Sequence, residues 1–436
     1  MLNLVQNLVG KKILVTAGWS HEDIDGVRHY ANHARSEGQG FAVAKYLVSL
    51  GAEVTIVAAK TRLSTPDRCK MICTDAAGNH IASGQELMNV AHAQAIGGDF
   101  DAALCLASIS SIKAAEKSLH KIKAKHTSDA PIVLSALGNI DVQQEARSWN
   151  VPTIGYDSRQ AIFATPHTPD WLRNLIDKIQ IFERVESASY DAEPLPTRPT
   201  AQFLKGMKVI ITSGPTAEKI TTTGDVITNF SSGRQGRDMA YAFANYGAEV
   251  IYISGPTNLA APTHAHIHVV GCSSAHSMAQ ACKSHLPADV FIGVAAVADF
   301  GSSNPEDIRL AVGERHDFVL EQNPDILESM GKHVTQRPRV VIGFAAETDE
   351  TNILDYAAGK LYKKGADMIC ANLVGASIAK RGSSNNQITF VLPHNKIAKL
   401  NVMSKRDVAT EIAKVVYTML SVERSQHVPL GAALSL

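Results

Sequence analysis

The 436-residue chain has no net charge, because 42 Lys and Arg balance 42 Asp and Glu. A chain without a bulk field has no general pull toward nucleic acid or anionic membrane, so any charge that matters is local. No apolar run reaches 18 residues, and the start of the chain lacks a long apolar core, so neither a membrane span nor a signal peptide is expected. Cysteine is sparse and scattered. Cys69, Cys73, Cys105, Cys272, Cys282 and Cys370 sit in or beside apolar runs, which fits a reduced, cytoplasmic protein. Cys69 and Cys73 have no second pair or histidine cluster to complete a zinc site. There is no GxGxxG, which argues against a nicotinamide-dependent oxidoreductase. What is present is an ordinary globular composition, 45% apolar and 19% charged, long enough for two or three domains.

The chain repeats itself. KKILVTAG at 11–18 returns as MKVIITSG at 207–214, and GAEV at 51–54 returns at 247–250. Both pairs are offset by 196 residues, as are Gly40 and Gly236, and one offset kept at three landmarks indicates duplication. Each copy reads as an apolar strand (13–16; 209–212), a polar turn-rich loop, a helix (40–50; 236–246) and a second strand (54–58; 250–253). Further strands are expected at 102–107 in the first copy and at 290–294, 340–343, 368–371 and 388–391 in the second. Short β-branched runs alternating with helical periods predict α/β architecture: two Rossmann-like parallel-sheet domains in tandem. The expected divisions are a domain at 1–186, a proline-bearing linker at 187–204, a second domain at 205–424 and a tail at 425–436. The first copy shortens near Tyr156, with a helical extension over 171–185.

In such sheets ligands bind beyond the carboxyl ends of the strands. The second copy places SGPT (213–216) and NFSSGRQG (229–236) after its first strand. Small residues there admit an anion to backbone N–H groups at a helix N-terminus, although a tight turn with N-cap serines would read the same way. AAVADF (295–300) follows a later strand; its tiny residues let a ligand approach, and Asp299 could serve a nucleotide or its metal, or simply cap a helix. NPDIL (323–327), GFAAET (343–348), Lys360, Lys363, Lys364 and ICAN (369–372) follow.

As an ordered series, these motifs resemble the phosphopantothenate–cysteine ligase domain, usually the second half of the bacterial bifunctional coenzyme A protein. The resemblance runs from about residue 205 to 420, and the flavin decarboxylase half is not recognisable. It implies a ligase that condenses 4′-phosphopantothenate with cysteine. CTP, as substrate with Mg²⁺, would give an acyl-cytidylate and pyrophosphate, and the cysteine amine would then displace CMP. No flavin is expected, nor any nucleic-acid or membrane partner, and a separate decarboxylase could supply the preceding chemistry. By motif match, Gly293, Val294, Ala295, Asp299, Pro324, Asp325, Ile326, Leu327, Phe344, Lys360 and Lys364 are implied to contact the nucleotide. Asn229 is implied to steady the acyl-cytidylate and Ala296 to meet the substrate. The spacing from Phe344 to Lys360 is two residues longer than the family pattern, so Lys363 stands as an alternative.

Two matches fail. Asp225 stands where the family has an arginine, and Asp307 where it has a flap lysine. The first copy has what is missing: Arg28 with Asn32, and Lys121 in Lys121-Ile122-Lys123 at the flap spacing, but no GFAAET or NPDIL. The family enzyme is a dimer with active sites between protomers. The expectation is therefore an intrachain pseudo-dimer, with Arg28, Asn32 and Lys121 joining Asn229 as catalytic residues and Arg28 and Asn32 also binding substrate. Plainer alternatives stand beside it. Lys113, Lys117, Lys121, Lys123 and Lys125 could be a solvated helix face, and Arg28 with Asn32 a helix-surface pair. The rival function is a non-catalytic nucleotide-binding regulator of coenzyme A enzymes.

Overall fold

The computed structural model describes residues 8–33, 38–59, 61, 63–118, 132–149, 151–156, 162–166, 168–169, 171–172, 202–347, 351–373, 385–394 and 396–426. They fall into two compact units that interleave in sequence. The first gathers Met1–Tyr190, Lys219–Thr228 and Gly301–Glu321; the second gathers Asp191–Glu218, Asn229–Phe300 and Gln322–Leu436.

The first unit is built on a six-stranded sheet in the order Ile162–Ala164, Thr153–Tyr156, Ala102–Cys105, Lys12–Ala17, Glu53–Ala58, Cys69–Ile72. All neighbours are parallel except the first pair. Alternation along one strand produces two cores. Ile13 and Val15 face Phe41, Ala44 and Leu47 of the helix Gln39–Ser49. Leu14 faces Leu87, Met88 and Ala91 of the helix Gly84–Gly97.

The second unit has eight strands in the order Ile267–Gly271, Glu249–Ser254, Lys208–Ser213, Val290–Gly293, Val340–Glu347, Met368–Leu373, Thr389–Leu392, Lys396–Lys399. The first six are parallel, and the last two are added by antiparallel pairings. Val209 and Ile211 pack with Met239 and Phe243 of the helix Arg234–Asn245, and with Val408 and Ile412 of the helix Lys405–Gln426. Ile210, on the other face, packs with Met278 of Ala275–Ser284 and Leu361 of Ile353–Lys364. The strand order around the first strand is the same in both units, and so is its register: Lys12 lies opposite Glu53, and Lys208 opposite Glu249.

Two further four-stranded sheets each take strands from both halves of the sequence. One runs Ala217–Lys219, Asp225–Asn229, Arg28–Asn32, His21–Asp23; the other runs Phe300–Gly301, Arg315–Gln322, Ile132–Gly138, Ile112–Ala114. Arg28 and Asn32 therefore belong to a strand, which removes the helix-surface alternative. Lys113 likewise lies on a strand, not on the helix face considered for the lysine run. In the second sheet, Arg315 lies opposite Leu137 and Leu320 opposite Ile132, in an antiparallel ladder.

The linker expected at 187–204 is described only from residue 202, the tail at 425–436 only to 426, and the helical extension at 171–185 only to 172. Among the described residues, no helix is long and apolar enough to cross a membrane.

Candidate functional site

In the second unit the motif loops meet beyond the carboxyl ends of the strands. Gly233, at φ +72°, turns the chain into the helix Arg234–Asn245, where a Cβ is strained. One turn on, a Cβ at Gly236 would run into Ser213, so glycine lets this helix sit on the first strand's end. Ser213 Oγ donates to the Gly233 carbonyl at 3.0 Å and accepts from Tyr252 at 2.9 Å, fixing the loop's foot. Two threonines hold the AAVADF loop: Thr212 Oγ1 accepts from Ala295 N at 3.2 Å and Thr216 Oγ1 from Ala298 N at 3.0 Å. Asn229 Nδ2 donates to the carbonyls of Ala296 (3.3 Å) and Val297 (3.0 Å). Its buried Oδ1 has no hydrogen bond among the described residues. Asn323 ties NPDIL to the same loop, its Nδ2 donating to the Ala298 carbonyl at 2.9 Å and its N–H to that of Asp299 at 3.0 Å.

Gly293 and Gly343 lie opposite each other on adjacent strands. A Cβ at Gly343 would strike Leu327, so glycine there makes room for the NPDIL leucine. Phe344 is half-buried next to it, in register with Cys370. Asp325 caps the short helix Ile326–Gly331 by accepting from Glu328 N at 2.9 Å, and it is also bonded to Lys364 Nζ. Lys364 donates to Glu328 Oε2 as well, at 3.0 Å. Burial works against charge on Lys364, but its bonds to Asp325 and Glu328 outweigh this and hold its pKa above the ordinary lysine value. Glu328 is drawn down to about 2 by its bonds to Lys332 and Lys364. Lys360 lies one turn earlier on Ile353–Lys364 and is half-buried, whereas Lys363 is exposed. Thus Gly293 and Phe344 lie within strands of this sheet and Asn229 ends the strand Asp225–Asn229; Val294 to Ala296 and Asp299 lie in the loop after Val290–Gly293, Pro324 to Leu327 at the start of Ile326–Gly331, and Lys360 and Lys364 on Ile353–Lys364.

The first unit repeats the frame with different contents. Cys105 takes the register position of Gly293, opposite Thr16 as Gly293 is opposite Thr212. Its side chain is 2% exposed, and burial pushes the thiol up. A Cβ on Gly155, its neighbour, would run into Cys105. Where the second unit sets two glycines opposite each other beneath Leu327, the first sets Cys105 opposite Gly155.

Arg28 and Asn32 are 2% and 0% exposed. The Arg28 guanidinium lies 3.5 Å from Asp25 Oδ2. Asp225, fully buried, accepts from Ser111 N (2.9 Å), Ser111 Oγ (2.5 Å), Ser110 Oγ (3.2 Å) and Thr221 Oγ1 (3.2 Å). Asn32 Nδ2 stands 3.5 Å from the same carboxylate. Asp307 is exposed and accepts from Thr222 Oγ1 at 3.1 Å. Lys121 lies outside the described residues.

Sequence reasoning missed a pair with the same 196-residue offset, Glu22 and Glu218. Each is buried and accepts from the first N–H of a helix: Glu22 from Gly84 at 3.0 Å and Glu218 from Ala275 at 2.8 Å. Burial raises both carboxyls above the usual range. The shared offset was the available signal. Glu328 was also missed, although its i, i+3 spacing from Asp325 puts both carboxylates on one helix face.

The sequence pattern of the DNA/pantothenate metabolism flavoprotein C-terminal domain matches residues 8–156 and 204–420. The chain is 38% identical over 214 residues to the coenzyme A biosynthesis bifunctional protein CoaBC of Haemophilus influenzae, covering 48% of this chain and 51% of that protein. Its identity to CoaBC of Vibrio parahaemolyticus is 37% over 204 residues, 45% of this chain and 49% of the other. A crystal structure of the C-terminal domain of CoaBC aligns at 36% identity and TM-score 0.43, covering 51% of this chain and all of that one. The chain spans about half the length of the curated relatives it matches.

Proposed function

The chain belongs to the DNA/pantothenate metabolism flavoprotein C-terminal domain family, and we propose that it is a phosphopantothenate–cysteine ligase built from two tandem copies of that domain. The observation that carries the activity is the ordered motif series of the second unit, whose loops are tied to one another by Thr212, Thr216, Asn229 and Asn323. Its relatives' names place them in coenzyme A biosynthesis. The duplication is supported by the family match to two segments and by the shared strand order and register.

A carboxylate does not acylate an amine in neutral water until one oxygen becomes a good leaving group. Transfer of a cytidylyl group from CTP, with loss of pyrophosphate, provides that. In this proposal the backbone of 293–295 and the Leu327 and Phe344 side chains form the nucleotide bed, and Lys360 and Lys364 supply cationic donors. Asn229, held against the Ala296 and Val297 carbonyls, presents its Oδ1 and steadies the acyl-cytidylate. Mg²⁺ would enter with the triphosphate, as part of the substrate. The reactants' alignment supplies the rest of the advantage. Arg28, Asn32 and Lys121 enter on the sequence resemblance as the acyl-side groups.

The test is product formation from 4′-phosphopantothenate, cysteine and CTP by the purified chain, with ATP as the competing nucleotide. A second reading, a nucleotide-binding regulator without turnover, is favoured by Asp307 at the flap-lysine position. It would bind CTP and release no pyrophosphate.

A further inference from the structure

Lys364 is half-buried, and its place is fixed from several sides. The C-terminal ends of two helices meet here, because a Cβ on Gly331 would strike the carbonyls of Lys364 and Gly365. Arg337 clamps both ends: its Nε donates to the Gly331 carbonyl at 2.8 Å and its Nη2 to the Gly365 carbonyl at 2.9 Å. Asp367 accepts from the same Nη2 and from Val341 N at 2.7 Å, tying the clamp to the sheet. This frame fixes where the Lys364 ammonium stands relative to the first turn of Ile326–Gly331. That turn presents two carboxylates, Asp325 and Glu328. Glu328 in turn pairs with the exposed Lys332 at 2.9 Å. The chain Lys332–Glu328–Lys364–Asp325 therefore sums to zero charge, with two of the three Lys364 donors already engaged.

We propose that Glu328 is a positioning residue that tempers the nucleotide lysine: it lowers the effective charge Lys364 shows to a triphosphate and keeps nucleotide binding weaker than the lysines alone would make it. The proposal rests on Lys364 being a nucleotide contact. An incoming triphosphate meets a neutral cluster, and it must compete with Glu328 for the ammonium's donors. Looser nucleotide binding keeps free energy for the step in which the phosphates move, instead of spending it on the ground state.

The experiment measures CTP affinity of the full chain by titration calorimetry across a salt series, with steady-state kinetics alongside. Glu328→Gln keeps shape and removes one negative charge. CTP binding should tighten about three- to tenfold at low salt, with a steeper loss as salt rises, because an added unit charge near a polyanion acts on this scale and is screened. KM for CTP should fall while kcat does not rise. Glu328→Asp, which keeps the charge, should stay near the parent. Lys332→Glu, a change at an exposed residue that adds negative charge from the other side, should weaken CTP severalfold, and it tests the idea even if Glu328→Gln does not fold. Unchanged or weaker CTP binding in Glu328→Gln, with Lys332→Glu like the parent, would overturn the inference. If the unaltered chain fails to bind CTP, the ligase reading fails instead.

Discussion

The Asp225 carboxylate lets the structure set a magnitude before any experiment. It is wholly buried and accepts four hydrogen bonds at 3.2 Å or less, one from a backbone N–H and three from hydroxyls. Two of those hydroxyls have other partners: Ser110 Oγ also reaches the Ile112 carbonyl at 2.8 Å, and Thr221 Oγ1 also meets Thr223 at 3.0 Å. The donor with least recourse is the Ser111 N–H. Asp225→Ala thus orphans about one buried amide and strips charge-assisted bonds from a serine, a loss of about 3 kcal/mol. Asp225→Asn keeps the shape but turns one acceptor into a donor facing donors, and should cost roughly 1–2 kcal/mol.

The pH dependence is the sharper check on Asp225. Its hydrogen bonds favour the carboxylate, but complete burial outweighs them and raises its pKa. A carboxyl raised on folding adds stability that is fully present below the unfolded value, about 3.9, and is lost as pH rises through the folded value. The stability of the parent chain over Asp225→Asn should therefore be largest at acid pH and shrink on going up from about pH 4. Chemical denaturation of both chains, followed by a probe in the first unit, reads this directly. A gap that widens as pH rises would mean the hydrogen bonds win over burial, and the reasoning would be wrong.

Three more outcomes are expected. Arg337→Ala removes the clamp on two helix ends and leaves Asp367 short of its partner; the second unit should lose about 1–3 kcal/mol, read by thermal melting, and CTP binding should weaken about tenfold as Lys364 loses its fixed place. Gly293→Cys puts into the second unit the side chain the first already carries at Cys105, and should abolish CTP binding in a titration while leaving the melt within a few degrees of the parent. Lys121→Ala should abolish turnover in a coupled pyrophosphate assay yet leave CTP affinity unchanged; full activity would end the role of the first half in catalysis.

Much of the frame was legible in the sequence because it is carried by local signals that repeat. The strands at 13–16 and 209–212 declare themselves by apolar runs, and the 196-residue offset aligns one unit with the other. The edge strands Cys69–Ile72 and Ile267–Gly271 were not legible, being short, four and five residues, and without a buried position to set a pattern. Arg28–Asn32 was hidden for another reason: its five residues, RHYAN, are buried through pairing and hydrogen bonds, so composition gave no hydrophobic cue. The ladder of Arg315–Gln322 with Ile132–Gly138 joins residues some 180 positions apart, and no local pattern encodes such a register. At the site, the glycines and NPDIL were found by motif, and the helix face separates half-buried Lys360 and Lys364 from exposed Lys363. Glu328 and Arg337 escaped because their meaning lies in where two helix ends meet, which sequence spacing does not show.

The central claim is tested most directly by pyrophosphate release from the purified chain with 4′-phosphopantothenate, cysteine, Mg²⁺ and CTP. The account predicts release that requires phosphopantothenate and CTP and matches the amide product one for one. CTP that binds in a separate titration but is never cleaved, with every substrate present, would contradict it and leave a nucleotide-binding regulator in its place.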